Sequence, residues 1–434
     1  MKVLNWYFKS NLLIRILLGL ILGAVAGLFF GPQIAVISPL GDIFVRLLKM
    51  IVMPVVILTL VVGAASIQPA RLGKVGGKTV LFYMLTTGFA VGIGLLMGNI
   101  FHPGAGMDLA GVSSEFGKAL TKPSMLDTLV NIIPKNPFTA VSSGQILPTI
   151  FFTLIFGIGL AFIRDSEEER IRDAAETVFR FFEGGAEVIY KMVNWILQYA
   201  PIGVFALIAV VFGKQGAQAF GPLGILTLSF YLGIVIHAVL VYGGLLAFFG
   251  ISPIQFFSRA KEATITAFVT RSSGGTLPVT LGIAQKKMGV SKGVFSFTLP
   301  LGATINMDGN AIYQGVCAIF IGFAIGSPLT IDQQFTVIIT AVLASIGAAG
   351  VPGAGAIMLL LVLNSVGLKV EPGTTVAMAY AMIFGIDALL DMGRTALNVT
   401  GDLAVTCAVA KSEKELDQAI WNDGGDSKKM SKVA

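Results

Sequence analysis

Thr304-Ile-Asn306-Met307-Asp308-Gly309-Asn310 and, further along, Asp387-Ala-Leu-Leu-Asp391-Met-Gly-Arg394-Thr395-Ala-Leu-Asn398-Val-Thr-Gly-Asp402 set carboxylates, amides and a guanidinium inside segments otherwise apolar enough for a bilayer. A charge at the centre of a membrane helix costs roughly 2.5–3.5 kcal/mol on insertion scales. Asp308, Asp387, Asp391, Arg394 and Asp402 together would cost on the order of 15 kcal/mol if left unpaired. A bound cation and a charged solute would offset that. Amides such as Asn306 and Asn398 could by themselves merely join helices, but ionisable groups clustered in two segments mark a binding site.

The rest of the chain fits a bilayer. Its 434 residues are 55% hydrophobic and 12% charged, and the mean hydropathy of +0.84 excludes an ordinary soluble domain. The formal charge of +6 does not indicate nucleic acid, because the basic residues lie in short connections between apolar runs, as the positive-inside rule requires. Cys317 and Cys407 fall in apolar runs and read as small buried hydrophobes, not as a disulfide framework. The only histidines are His102 and His237, and no serine or cysteine stands beside a plausible base, so an intramembrane enzyme is disfavoured. His237, in an apolar run, is expected to be a helix-packing donor.

Eight spans are expected, at 11–31, 38–66, 78–102, 138–164, 186–213, 220–250, 290–325 and 372–411. The first is too long for a signal-peptide core and is read as retained. An even number puts both termini on one side, with Lys2, Lys9, Arg71, Lys74, Lys78, Lys428, Lys429 and Lys432, and that side is cytoplasmic. The mixed-charge connection from Arg164 to Glu187 joins them there, and His102 to Asn136 forms an external loop. Two apolar segments are too short or too broken to span. Arg259 to Arg271 ends at Ser272-Ser-Gly-Gly-Thr-Leu-Pro278, and Gly347-Ala-Ala-Gly-Val-Pro-Gly-Ala-Gly355 interrupts 332–367. Both read as re-entrant hairpins (254–287 and 332–367), each followed by a polar, broken helix. Thr270 precedes Asn306 by 36 residues and Gly350 precedes Asp391 by 41. Matched broken segments in two halves point to a secondary-transporter site.

Thr270-Arg-Ser-Ser-Gly-Gly-Thr-Leu-Pro278, Asn306-Met-Asp-Gly309, Gly350-Val-Pro-Gly-Ala-Gly355 and Asp391-Met-Gly-Arg-Thr395 with Asn398 and Asp402 resemble the excitatory amino acid transporter family of sodium-coupled glutamate and aspartate symporters, especially its archaeal aspartate-transporting branch. The resemblance covers nearly the whole chain. It implies an all-α polytopic membrane protein of eight transmembrane helices plus two re-entrant helical hairpins, with inverted repeats, working as an elevator-type homotrimer in the cell membrane. Residues 1–77 and 103–219 would form a scaffold, 78–102 and 220–411 a transport domain, and 412–434 a cytoplasmic tail.

For substrate, the resemblance implies that Asp391 receives the amino group and Arg394 the side-chain carboxylate, chemistry that suits an ammonium and a planar guanidinium. Asn398 and backbone groups at Ser272, Ser273, Val351, Pro352, Gly353, Ala354 and Gly355 would hold the main-chain carboxylate, with Thr395 and Arg271 beside them. For co-transported sodium it implies one site from Asp402, Asn306, Asn398 and the Gly302 carbonyl. Asp308, Asn306, Tyr83, Thr86 and Thr87 would form a second, and backbone oxygens of Thr304, Ser345, Ile346 and Ala348 a third. Oxygen ligands suit a hard cation. Arg271 and Met392 match the potassium-independent branch. Two positions depart from the pattern, with Asn310 in place of a threonine and Gly274 in place of a third serine. Asp387 is expected to hold a neighbour in place.

The expected function is sodium-coupled symport of an acidic amino acid, with aspartate preferred and glutamate accepted. The alternatives are a proton-coupled glutamate or C4-dicarboxylate symporter of the same family, or an ion channel. Asp391 argues against a plain dicarboxylate, because it needs an ammonium partner. Arg394 argues against a neutral amino acid, because it needs a second carboxylate.

Overall fold

A computed structural model describes residues 12–65, 75–107, 130–346 and 353–423. Among these the chain is helical, with no β-strand beyond an isolated Val290–Leu416 bridge. The expected loop core at 108–129, the lysines at the extreme ends, and Ala348, Val351 and Pro352 lie outside the described residues. The principal helices are α1 (Leu12–Phe30), α2 (Ser38–Ala65), α3 (Gly77–Phe101), α4 (Ile146–Arg164), α5 (Glu169–Gln215) and α6 (Phe220–Ile236). After α6 a π-helical turn, His237–Tyr242, leads into α7 (Gly243–Phe248). Then come α8 (Pro253–Thr270), α9 (Ser273–Lys286), α10 (Lys292–Ile305), α11 (Asp308–Ala324), α12 (Ile331–Ser345), α13 (Ala354–Ser365), α14 (Thr375–Ser412) and α15 (Gln418–Asp423).

Among the described residues, five continuous helical stretches are long and apolar enough to cross a membrane: 14–65, 77–101, 169–214, 220–248 and 375–412. The first contains two of the expected spans, joined by a 3-10 turn at Gly31–Ile37. The expected span at 138–164 is a shorter apolar helix from Pro148. The one at 290–325 is split at Asn306 and Met307 into halves of 14 and 17 residues. Those halves reach about 21 and 26 Å, short of a hydrocarbon core of about 30 Å. The paired helices α8/α9 and α12/α13 are likewise 12–18 residues each.

Two expectations need correction. The connection expected from Arg164 to Glu187 is mostly helix, because α5 runs unbroken for 47 residues from Glu169. Its first turns are rich in Glu, Arg and Ala, strong helix formers, and Glu176 meets Arg180 one turn on at 3.2 Å. At about 70 Å it is more than twice the bilayer core. The second correction concerns the eighth span, expected to be broken like the seventh. It is instead one continuous 38-residue helix, α14. No proline interrupts it, and its polar side chains find partners within the helix, as Arg394 does on Asp387 and Asp391, or on α8, α10 and the α10/α11 break, as Thr400, Thr406 and Asp402 do, so no backbone need be freed.

Packing follows the sequence. Gly19, Gly23 and Gly27 recur every fourth residue on α1 and seat its backbone against Pro201, Phe205 and Ala209 of α5, so closely that a methyl on Gly19 would come within 2.5 Å of the Pro201 carbonyl. Every residue of α11 except Phe323 is buried, Asp308, Asn310 and Gln314 of its first two turns included. α3 and α14 flank it. By contrast α1 turns Ile14, Ile21, Leu22, Val25 and Phe29 outward, which suits hydrocarbon and not water.

Residues 412–434 read as a tail, yet the part through Asp423 packs back on the molecule. Lys78 on α3 pairs with Glu413, and Asp417 N–H donates to the Gly289 carbonyl at 2.7 Å. Trp421 is buried with its indole N–H on Gln255 Oε1 at 3.0 Å and the Arg259 guanidinium 4.4 Å over its ring. Arg259 also donates to the Trp421 carbonyl. The strap thus ties α8 to the end of α14. Trp421→Ala is expected to weaken its docking by about 2 kcal/mol, from one hydrogen bond and one cation–π contact. Tryptic cleavage after Lys414 in detergent should become several-fold faster; an unchanged half-life would show that Trp421 does not hold the strap.

Candidate functional site

The unbroken α14 puts Asp387, Asp391, Arg394, Asn398 and Asp402 at intervals of three or four residues, on one face, with Thr395 next to Arg394. That face lies against the break between α10 and α11. Three polar clusters result.

The first surrounds Arg394, which has no exposed surface. Its two terminal nitrogens reach Asp387 at 2.8 and 3.1 Å, and Nη2 also donates to Asp391 Oδ1 at 2.9 Å. The Tyr313 ring lies 4.1 Å from the guanidinium carbon. Asp387 therefore holds its neighbour's fork in plane. Asp391 Oδ2 and Arg394 Nε are buried and have no hydrogen-bond partner among the described residues. An orphan carboxylate oxygen beside a guanidinium offers an acceptor to a cationic group and a positive charge to an anionic one. Asn310 borders the same space. A Cβ on Gly355, at the start of α13, would lie 2.8 Å from both Asn310 Oδ1 and Arg394 Nη1. Gly355 is thus glycine because the backbone of α13 comes this close.

Arg271, between α8 and α9, adopts a left-handed backbone (φ 54°) and lies near enough to act electrostatically on Asp391. The Ser272 hydroxyl caps α9, accepting from Gly275 N–H at 3.0 Å, and Ser273 is buried. Thr395 donates to the Asp391 carbonyl of its own helix at 2.9 Å.

The second cluster centres on Asp402, whose Oδ1 accepts from Asn306 Nδ2 at 3.0 Å. Gly302 faces it, since a Cβ there would stand 2.5 Å from both Asp402 Oδ1 and the Tyr83 hydroxyl. That hydroxyl donates to the Thr298 carbonyl at 2.9 Å. Asn398 ties α14 to the break by accepting from Gly309 N–H at 2.7 Å and donating to Met307 Sδ at 3.2 Å.

The third cluster centres on Asp308, at the first turn of α11, where the helix dipole favours a carboxylate. Thr87 donates to its Oδ1 at 2.6 Å. Tyr242 donates to Oδ2 at 2.8 Å, and His237 Nε2 lies 3.3 Å from the same oxygen. Thr86 donates to the Asn306 side-chain oxygen at 3.4 Å. Away from these clusters, the Thr304 and Ser345 hydroxyls bond to their own helices, at Leu301 and Val342, and Ile346 ends α12.

Three participants escaped the sequence reading: Tyr242, Tyr313 and Met307. Tyr313 sits five residues from Asp308, and its partner Arg394 is over 80 residues away, so local pattern gives no sign of the pairing. Among the described residues no group of three His, Cys, Asp or Glu gathers. The oxygen sets at Asp308 and Asp402 combine one carboxylate each with hydroxyl, amide or carbonyl oxygens, which suits a hard monovalent cation better than a transition metal.

Buried carboxylates, amides and a guanidinium facing one another among apolar helices define a multi-pass membrane protein with an internal polar site. The model of the sodium:dicarboxylate symporter family matches residues 12–412, and the chain belongs to that family. It is 38% identical over 421 residues to a proton/sodium-glutamate symport protein of Bacillus caldotenax, covering 94% of this chain and 96% of that one. It is 34% identical to the proton/glutamate-aspartate symporter of Escherichia coli K12, over 96% of this chain and 95% of that one. A C4-dicarboxylate transport protein of Pseudomonas aeruginosa is 32% identical, over 95% and 92%.

Proposed function

We propose that the protein is a symporter that couples sodium entry to uptake of an acidic amino acid, aspartate in preference to glutamate. One observation carries the substrate class: Asp391 Oδ2, buried beside the Arg394 guanidinium without a hydrogen-bond partner among the described residues. A plain C4-dicarboxylate has no ammonium for that oxygen and would add charge to a pocket that already holds two carboxylates. The Asp308 and Asp402 oxygen clusters are the proposed sodium sites, with Asn306 next to both. Family membership supports cation-coupled symport, and the names of the relatives leave sodium and proton both in play.

The proposed mechanism is an elevator in a homotrimer, with both termini cytoplasmic. α1, α2, α4 and α5 would be the fixed scaffold, while α3, α6 to α14 and the bound solute move together. A cleft lined by Leu20, Phe212, Leu223, Thr227, Tyr231 and Ile386 separates α1 and α5 from α6 and α14, and an almost wholly apolar junction suits sliding. The α12/α13 pair, whose start at Gly355 abuts Arg394 and Asn310, would be the gate.

The test is uptake of radiolabelled aspartate and succinate into proteoliposomes under an inward sodium gradient, an inward proton gradient, or neither. Aspartate should accumulate under the sodium gradient alone. Accumulation of succinate without aspartate would refute the amino-acid assignment, and accumulation under the proton gradient alone would refute sodium coupling. Asn310 is expected to tune affinity, because its amide is longer than a threonine hydroxyl and brings an acceptor oxygen that an anion repels. Asn310→Thr should strengthen aspartate binding roughly tenfold, the worth of one better-placed hydrogen bond to a charged group. Identical aspartate and glutamate dissociation constants in both forms would remove Asn310 from the substrate site.

A further inference from the structure

His237 and Tyr242 are five residues apart, a spacing that in an α-helix turns two side chains about 140° away from each other. Here the chain between them is a π-helical turn, whose wider i→i+5 repeat brings the two onto one side. Their rings meet edge to face, 4.7 Å apart, and both polar tips land on the same atom, Asp308 Oδ2. All three side chains are fully buried. The Tyr242 hydroxyl is also wedged against Gly401 of α14 and lies 3.3 Å from the Leu397 carbonyl. Among the described residues His237 Nδ1 has no hydrogen-bond partner, so Asp308 is the one hydrogen-bond partner the ring has there.

We infer that His237 and Tyr242 are positioning residues that orient the Asp308 carboxylate for the co-transported cation. The Tyr242 hydroxyl donates to Oδ2, and the His237 ring does so in its Nε2–H tautomer, so the positive ends of two donors crowd the side of Oδ2 that they occupy and disfavour an ion there. Oδ1, which accepts only from Thr87, is the oxygen left to the cation. The π turn is the device that puts both donors there, and mid-helix π turns often mark functional sites. The inference rests on the sodium-coupled reading above.

The experiment measures aspartate affinity as a function of sodium in Tyr242→Phe, His237→Leu and His237→Gln, with choline as replacement cation. It also measures the sodium-induced rise in melting temperature without substrate. In Tyr242→Phe and His237→Leu the half-saturating sodium concentration should rise tenfold or more, while aspartate affinity at saturating sodium stays within threefold of the parent. The sodium-induced thermal shift should shrink in both. His237→Gln, which keeps an N–H donor near the Nε2 position, should restore sodium dependence to within threefold. A merely structural role would instead lower the melting temperature equally in sodium and choline, leave the sodium titration in place and gain nothing from glutamine; that result overturns the inference. If the parent protein shows no sodium dependence, the sodium reading fails and the inference falls with it. A parent that responds to sodium beside variants that respond identically sinks the inference alone.

Discussion

Arg394→Ala is expected to lose aspartate binding by about 30-fold to several-thousand-fold, the range of roughly 2–5 kcal/mol for removing one partner of a desolvated charge pair. The guanidinium is the positive charge beside Asp387 and Asp391, and its two terminal nitrogens make three bonds to them. Without it two carboxylates share a dry pocket, so the single variant should also lose stability, by about 3–5 kcal/mol. Stability and recognition are separated by adding Asp387→Asn. The double variant removes one surplus carboxylate and should recover most of the lost melting temperature. It should still fail to bind aspartate, while serine or asparagine, which need no second anion partner, compete better relative to aspartate than in the parent. Calorimetric titration at saturating sodium decides. Aspartate affinity within threefold of the parent in the folded double variant would make Arg394 a structural cation and refute its role toward the substrate.

The residues around Arg394 are legible in the sequence, because charges stand out inside apolar runs. Asp387, Asp391 and Arg394 could be picked out by composition alone, and their spacing of four and three already put them on one helical face. The continuity of α14 was less legible. Symmetry with the first half suggested a break, whereas the polar side chains satisfy one another within the helix, as Thr395 does on the Asp391 carbonyl. Tyr242 was hidden for a geometric reason, since residues five apart share a face only after a π turn forms, and hydrophobic periodicity carries no sign of one. The docked segment 413–423 was hidden for a chemical reason. Its sequence is polar, and it is fixed by distant partners: Lys78 for Glu413, the Gly289 carbonyl for Asp417, and Gln255 and Arg259, more than 160 positions away, for Trp421. Long-range pairings of this kind leave no local trace, which is also why the charged first turns of α5 could pass for a loop.

Gly302→Ala tests the Asp402 cluster with one methyl group. At this position the added carbon would stand 2.5 Å from Asp402 Oδ1 and 2.5 Å from the Tyr83 hydroxyl, and 2.8 Å from the carboxylate carbon. Neither neighbour can yield easily. Tyr83 has no exposed surface, and its hydroxyl is committed to the Thr298 carbonyl. Asp402 is tied to Asn306, which also contacts Thr86 at the Asp308 cluster. The methyl must therefore swing the Asp402 carboxylate away from the space it shares with the Gly302 backbone, which is where the proposed sodium would sit. Half-saturating sodium should rise tenfold or more, a change of at least about 1.4 kcal/mol. By linkage, aspartate binding measured at a fixed low sodium concentration should weaken in parallel and recover as sodium is raised. Titrations of aspartate across a sodium series in detergent, paired with melting curves to confirm the fold, give both quantities. If Gly302→Ala folds and its sodium dependence overlays that of the parent, the Asp402 cluster does not bind the coupling ion, and the Asp308 cluster alone is left to carry it.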